Sequence, residues 1–215
     1  MKISELSQRT GISVASIKYY LREGLMPPGV SAASNQADYT DEHVRRLRLV
    51  RALLDIGELP VAGVRGVLAA VDDDSTSIHD AFGAVMHGLG VPPPAPQTNE
   101  LSTALADVNQ WLRRRKWTIK PSSPARHTLA QLIVTLRQFD FPASMTDFDA
   151  AADAAEQSAQ FEVAWALGQP DRTAAVETML IGTVVHERVL AEVRRLALEA
   201  VSVRLHKVMH RPRRR

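Results

Sequence analysis

The chain has 215 residues, of which 45% are apolar and 23% charged, a composition typical of a soluble protein with enough apolar surface for two modest cores. The absence of cysteine excludes disulfides, thiolate metal sites and cysteine nucleophiles. A formal net charge of +2 is too small to identify a polyanionic partner, so the positions of the charges must decide that question.

No membrane segment is expected from the sequence. The longest apolar run, 179–185, is far shorter than the roughly 20 residues that cross a bilayer, and Glu187 and Arg188 follow it closely. The first residues lead directly into a polar amphipathic pattern rather than the apolar core of a signal peptide. We therefore expect a cytoplasmic protein.

The first thirty residues predict a helix, a turn, a second helix and the start of a wing. Ser4 is the predicted cap of a helix over 3–9, Gly11 suits a left-handed corner, and Ser13 restarts the helix. Helical spacing directs one set of apolar side chains inward: Leu6, Ile12, Val14, Ile17 and Leu21.

The outward face of the second helix is the strongest functional signal in the chain. Lys18, Tyr19 and Arg22 lie on this face, and Tyr20 is next to them. Ammonium and guanidinium groups pair with phosphates, and phenolic hydroxyls donate hydrogen bonds to them. The pattern therefore predicts a surface that docks on nucleic acid.

After this unit, Pro27 and Pro28 end regular helix, and the polar stretch 31–38 predicts a short two-stranded wing. A third helix starts at Thr40 and Asp41 and stops at Gly57, and Pro60 opens a fourth. The inward set of the third helix is Val44, Leu47, Val50 and Leu54. Its cationic flank is Arg45, Arg46, Arg48 and Arg51, which could equally be a solvated face paired with Asp41, Glu42 and Asp55.

The composition changes sharply after Val71, where 72–77 forms an acidic, solvated joint. A short helix over 78–89 and a proline-rich linker at 92–96 follow, and the rest is helical in pattern. The predicted later helices are 101–117, 125–139, 147–167 and 171–208. The predicted domains are 1–71 for the winged helix, 72–99 for the joint and linker, 100–209 for a helical effector or dimerisation domain, and 210–215 for a basic tail.

Several of these segments closely resemble the DNA-binding domain of the MerR family of transcriptional regulators. The resemblance lies in ISEL, TGIS, IKYY, REGL and PP at 3–6, 10–13, 17–20, 22–25 and 27–28, and it continues through Tyr39 and 43–47. It implies a mainly α fold, with an N-terminal winged helix-turn-helix, a short β-hairpin wing and an all-helical C-terminal domain.

The resemblance also implies a function. Members of the family act as homodimers on inverted repeats, with recognition helices in successive major grooves about 34 Å apart. They bend and untwist an overlong promoter spacer, and so affect RNA polymerase indirectly. The DNA-contacting residues expected here are Ser13, Ser16, Lys18, Tyr19, Tyr20, Arg22, Asn35, Gln36, Tyr39 and Arg46.

Some positions keep a second interpretation. Tyr20 could pack in the core, and Lys18 stands where the family usually has arginine, which keeps the charge but loses the bidentate fork. The wing lacks the family's glycine, aromatic and arginine before Tyr39. Asn35 can still adopt a turn conformation, and Gln36 can still donate to phosphate or a base edge.

The C-terminal part suggests two further roles. Its aromatics, mostly expected in a core, could form an apolar pocket for a small effector; the candidates are Trp111, Trp117, Phe139 and Trp165. In the family the helix after the winged helix joins two protomers. Here that helix would be 78–89, and the last helix could share the role or belong to the core.

No cofactor and no metal site are expected. His206 and His210 have helical ligand spacing but lack a third ligand, and no nucleophile or acid–base constellation is evident, so we do not expect an enzyme. The competing hypotheses are an architectural or excisionase-like DNA-binding protein without ligand sensing and, less favoured, a C-terminal enzyme domain.

Overall fold

A computed structural model describes residues 1–33, 36–90, 98–141 and 144–209. The fold is mainly α, as predicted, with a two-stranded antiparallel hairpin of β1 (Val30–Ala33) and β2 (Gln36–Asp38). The helices are α1 (Ile3–Thr10), α2 (Val14–Arg22), α3 (Asp41–Arg51), α4 (Val61–Asp72), α5 (Ile78–Leu89), α6 (Asn99–Arg114), α7 (Pro124–Gln138), α8 (Asp149–Leu167) and α9 (Arg172–Met209). Within the described ranges, no helix has the length and apolar content that crossing a bilayer requires.

The chain divides into two compact units. The first contains Met1–Pro60 and the part of α9 from Leu180 onward, and the second contains Val61–Met179. This division differs from the domain boundary expected after Val71, because the apolar side of α4 packs on α5. The functional domains 1–71, 72–99 and 100–209 stay predictions, and the basic tail 210–215 and the linker 92–96 lie outside the described residues.

The helix-turn-helix of the first unit is built from local signals. Gly11 has a left-handed φ of 68°, which allows the sharp turn after α1. Ser13 caps α2, because its Oγ accepts a hydrogen bond from the Ser16 backbone N–H at 3.1 Å. The predicted cap at Ser4 was wrong: Lys2 occupies the N-cap of α1 and its side chain makes no capping bond.

The core of the first unit confirms most of the predicted inward set. Leu6, Ile12 and Ile17 are buried together with four residues from later elements: Met26, Tyr39, Val44 and Leu47. Leu21 is partly buried against this cluster. The first two helices therefore share one core with the wing and α3.

A π-helical segment, Ala52–Ile56, continues α3 and changes which residues point inward. Val44, Leu47 and Val50 are buried as predicted, and Leu49, which precedes this segment and was not predicted, is buried too. Within the segment Leu54 is only half-buried and Leu53 is buried instead. A π-helical turn shifts the phase of the side chains relative to an ideal α-helix. A strict 3.6-residue period could not predict that shift.

In the second unit, α4 supplies the partner for the apolar stripe of α5. Val64, Val67, Leu68 and Val71 of α4 are buried, and so are Ala81 and Val85 of α5. The helices are in close contact at Gly88, where an added Cβ would lie 2.6 Å from Cγ2 of Val67. The stripe on 78–89, considered above as a dimer contact, is therefore used in packing within the unit.

We expect Gly88→Ala to lower the free energy of unfolding by about 1–2 kcal/mol, because the new methyl group must displace Val67 in a close-packed contact. Gly83→Ala on the same helix is the matched control, since its added Cβ would meet nothing within 4 Å. The control should stabilise the helix by up to about 1 kcal/mol. Urea unfolding of both variants measures the difference, and equal effects would contradict the close approach.

The remaining part of the second unit packs around α6 and α7. Its core is formed mainly by Leu101, Ala104, Val108, Trp111, Leu112, Ala130 and Ile133. The Arg115 guanidinium lies over the Trp117 ring, 4.8 Å from its centroid, and contacts Asp153 of α8 at 2.5 Å and Glu156 at 3.3 Å. The hydrogen bond from Arg115 to Asp153 is the main cause that raises the pKa of Arg115 above its usual value. This polar contact attaches α8 to α6.

The acidic joint is also held in place. Arg172, at the start of α9, contacts the Asp74 carboxylate at 3.0 Å and donates to the Thr76 hydroxyl at 3.2 Å. The joint predicted to be solvated is therefore attached to α9 within the second unit.

Candidate nucleic-acid interface

The outward face of α2 presents an arranged set of cationic and phenolic groups. Lys18 and Arg22 are exposed, and the Arg22 guanidinium lies 5.3 Å from the centroid of the half-buried Tyr19 ring. The contact between Arg22 and the Glu23 carboxylate is long, at 3.9 Å, and is open to solvent. Because exposed pairs of this kind contribute little, Arg22 can exchange Glu23 for a phosphate at low cost.

Tyr20 contacts both the core and the outward face of α2, so both interpretations of its role stay open. It is partly buried against the core of the first unit, and its ring lies 5.9 Å from that of Tyr19. Partial burial, followed by the charge of Asp55, raises the pKa of the Tyr20 hydroxyl above its usual value. The phenol therefore keeps its proton near neutral pH and can act as a hydrogen-bond donor.

Ser13 and Ser16 stand together at the start of α2. Their hydroxyl oxygens are 2.9 Å apart, and Ser13 also accepts the capping bond. Both side chains are thus oriented by the helix start before any partner binds. A free amide end and two hydroxyls at one helix N-terminus form a suitable neighbourhood for a phosphate oxygen.

The wing is attached to the amino terminus. The Tyr39 N–H donates to the Met1 carbonyl at 2.8 Å, and the Met1 ammonium donates to the Tyr39 carbonyl at 2.8 Å. Lys2 pairs with Asp38 of β2 at 3.2 Å, and Arg9 of α1 pairs with Asp41 of α3 at 2.6 Å. These attachments hold the helix-turn-helix against the wing and α3. Sequence reasoning missed them, because each joins residues more than 30 positions apart.

Three residues in or beside the wing were predicted to contact DNA: Asn35, Gln36 and Tyr39. Tyr39 is only 7% exposed and packs edge-on against the buried His43, with ring centroids 5.2 Å apart. The ring fills space between the wing and α3, and the predicted DNA contact of Tyr39 stays a prediction. Asn35 lies outside the described residues, and Gln36 is the first residue of β2.

The arginine flank of α3 is partly used in intrahelical pairing. Arg51 pairs with Asp55 at 2.9 Å, four residues along, which confirms the solvated-face interpretation for that residue. Asp41, the other expected partner, pairs with Arg9 instead. Arg46 is half-buried, and its phosphate contact stays a prediction.

The aromatic residues predicted to form an effector pocket do not share one environment. Trp111 and Trp117 pack against each other edge-on with ring centroids 5.5 Å apart, and Trp111 donates from its indole N–H to Asp149 at 2.7 Å. Phe139 is 80% exposed and Trp165 is 53% exposed. The four residues thus form one edge-on pair in the second unit and two exposed rings near helix ends, and an effector site built from them stays a prediction.

In the part of the chain that the structure describes, no three His, Asp or Glu side chains lie close enough together to hold a metal ion. His206 is exposed near the end of α9, and His210 lies outside the described residues.

A helix-turn-helix with an attached hairpin wing and a cationic, phenolic face on its second helix defines the first unit as a winged-helix DNA-binding module. Residues 1–71 match the family model of the MerR HTH family regulatory proteins.

Comparisons with individual proteins extend this match. The chain is 35% identical over 116 residues to the heavy metal-dependent transcription regulator 2 of Rhizobium meliloti (strain 1021), covering 54% of this chain and 72% of that relative. It is 36% identical over 80 residues to the HTH-type transcriptional regulator HmrR of Sinorhizobium medicae (strain WSM419), which covers 37% of this chain and about half (54%) of HmrR.

A solved structure is similar over nearly the whole chain. It is that of SCO5550, a proposed transcriptional regulator from Streptomyces coelicolor A3(2), with a TM-score of 0.73, 33% identity and coverage of 95% of this chain and 97% of that one. The chain therefore belongs to the MerR family of DNA-binding transcriptional regulators.

Tyr19→Phe tests the assignment of the α2 face. We expect weaker binding to DNA with a nearly unchanged melting temperature, because the contacts of Tyr19 within the described chain are made by its ring, with Arg22 and Tyr20, and not by its hydroxyl. Tyr39→Ala is the contrasting variant and should cost about 3–5 kcal/mol of stability, since it empties a buried aromatic site. A large loss of stability in Tyr19→Phe would instead make that hydroxyl part of the core.

Proposed function

We propose that the protein acts in the cytoplasm as a homodimer that binds an inverted repeat in promoter DNA and distorts the spacer, thereby acting indirectly on RNA polymerase. The observation that carries the DNA-binding part is the face of α2, where Lys18, Tyr19 and Arg22 are presented without a strong internal partner. Ser13, Ser16, Tyr20, Gln36 and Arg46 would add contacts around it.

The dimer proposal is supported by α9. This helix is attached to the first unit where Arg188 pairs with Glu58 at 2.5 Å and donates to the Ile56 carbonyl at 3.1 Å, next to the buried Val184. Beyond that attachment, every residue from Glu187 to Lys207 is exposed. A long helix with exposed apolar side chains that belongs to a DNA-binding unit is suited to joining two such units.

One row of α9 has the spacing of a helix–helix seam. Val189, Val193, Leu196 and Val203 follow one another at intervals of 4, 3 and 7 residues and are 46%, 55%, 65% and 47% exposed. Intervals of 3 and 4 keep side chains on the side that faces a partner helix in a coiled coil. We call these four residues the first row and propose that it packs on α9 of the second copy. Of the two dimer helices considered from the sequence, this assignment favours the last one.

A small effector is a further part of the proposal. Beside Trp111, a cavity of about 290 Å³ is lined by Asp107, Gln110, Arg114 and Arg137 together with three residues at 144–146. The cavity is open, its lining is both polar and apolar, and Asp107 and Arg137 pair across it at 2.9 Å. We propose this cavity as the effector site of the second unit. Nothing in this lining forms a nucleophile–base pair, so we propose a regulator rather than an enzyme.

Footprinting on genomic fragments bound by the purified protein tests the proposal. We expect protection of two half-sites one helical turn apart across a promoter spacer, with hypersensitive positions between them and altered transcription in a purified system. Uniform coating of unrelated fragments without an effect on transcription would favour the architectural alternative and contradict the regulator.

A further inference from the structure

The first row does not account for all the apolar surface of α9. A second row, defined by Leu190, Leu198, Val201 and Leu205, is 45%, 54%, 40% and 57% exposed. At 100° per residue this row lies about a quarter turn or more from the first, so the apolar sector spans well over half of the helix circumference. The seam with one partner helix is narrower than this sector. The α9–α9 seam therefore leaves the second row exposed, and a different helix could cover it.

An unpartnered apolar stripe of the required kind is present on α8. Phe161 and Trp165, one turn apart, are 65% and 53% exposed, and their rings stack with centroids 6.4 Å apart. Ala154, two turns before Phe161, continues the stripe and is also exposed. The buried residues of α8, Ala152 and Ala166, lie on the other side of the helix. Stacked aromatic rings on an exposed helix face are typical of an interaction surface.

The charges next to the two apolar surfaces are complementary. Three of the four carboxylates of α8 pair with Arg115 of the same chain, so the charge of α8 beside the stripe comes from Glu162, which also accepts a hydrogen bond from the Ser158 hydroxyl at 2.9 Å. The exposed part of α9 over 187–207 carries five lysines and arginines against three glutamates, and two of these cations, Arg188 and Arg195, pair within the chain. Arg194 interrupts the second row between Leu190 and Leu198, and its guanidinium has no partner among the described residues. Glu162 lies one turn before Trp165, at the edge of the α8 stripe. A carboxylate there would give Arg194 an ion pair as the apolar surfaces meet.

We infer that the α8 stripe of one protomer docks on the second row of α9 in the other protomer. This inference rests on the proposed dimer and adds a second contact to it. The first row holds α9 against the partner's α9, and Phe161 and Trp165 cover Leu198 and Val201 of the partner. The assembled interface contains four helices, two from each copy. It joins the second unit of each protomer to the first unit of the other.

Cysteine cross-linking provides the test, because the natural chain contains no cysteine to interfere. Ala154→Cys is placed in a tagged full-length chain and Val201→Cys in an untagged one, and the mixed, re-equilibrated dimers are treated with a short bismaleimide. We expect a product that contains one tagged and one untagged chain. Val193→Cys alone should give a symmetric product through the first row, and Thr118→Cys, on an exposed loop of the second unit, is the matched control for random collision.

The outcomes separate the two proposals. A Val193 product without a mixed Ala154–Val201 product would overturn the docking of α8 and leave the dimer intact. A chain that carries both Ala154→Cys and Val201→Cys and links only within itself would also overturn it, since the stripe would then be covered by its own α9. A protein that is monomeric in solution and gives no Val193 cross-link would contradict the proposed dimer itself.

The ion pair offers a second measurement. Glu162→Arg should reduce the yield of the mixed product severalfold, and addition of Arg194→Glu to the partner chain should restore it. Equal yields in all three combinations would contradict a contact between α8 and this part of α9.

Discussion

Replacing Val193 and Leu196 together by glutamate is expected to convert the protein to a monomer and to weaken operator binding by at least a hundredfold. The two side chains are 55% and 65% exposed in the single chain, so the substitutions cost little before assembly. In the dimer they would bring unpaired carboxylates into an apolar seam. Linking two DNA-binding units multiplies affinity by about 10²–10⁴ through effective concentration, and this gain is lost in the monomer.

Sedimentation equilibrium and fluorescence anisotropy on full and half operators measure the two effects. Ser202→Glu, exposed on the polar side of the same helix, is the matched control and should leave both the mass and the affinity unchanged. The affinity of the monomeric variant for a half operator should equal that of the unmodified protein. A double variant that stays dimeric would place the interface away from the first row.

Replacing Lys18 and Arg22 by alanine is expected to produce the largest change in the salt dependence of DNA binding. Each phosphate contact contributes about 0.9 to the log–log slope, so each substitution should lower the slope by about 1.8 in a dimer. The loss of a charge-assisted hydrogen bond also weakens binding by about tenfold or more at each position. Titrations with labelled operator at several salt concentrations give both quantities.

Arg113→Ala, which removes an exposed cation from α6 in the second unit, controls for the change in net charge. Its slope should stay close to that of the unmodified protein, and the melting temperatures of all the variants should agree within a few degrees. Unchanged slopes in the Lys18 and Arg22 variants would show that α2 does not face the phosphates.

Much of the first unit could be predicted because its signals are local. Gly11 at a positive φ, Ser13 at a cap and the spacing of Leu6, Ile12 and Ile17 each act within a few residues of their own position. The face of α2 follows from the same periodicity, because the residues that fill the core determine which ones point outward. The order of the later helices could also be read from spacing, with ends displaced by a few residues.

Other assignments required the packed fold. Tyr39 was predicted from the sequence only as a DNA contact, and the approach of the wing to His43 is what places its ring inside. Similarly, the aromatics of the second unit separate into two groups. Trp111 and Trp117 form a pair around Arg115, whereas the rings at the end of α7 and on α8 are exposed. Burial depends on neighbours that are distant in the chain, and a single sequence carries no direct record of them.

The sequence by itself determined the family, the helix-turn-helix and the cationic, phenolic face of α2, because each depends on residue identity and short-range spacing. Only the tertiary structure decided which apolar helix was already covered. The stripe of α5 packs on α4, whereas the two rows of α9 and the stripe of α8 remain exposed in the single chain. An apolar periodicity looks the same in both cases, since burial is a property of the surfaces that meet and not of either helix alone.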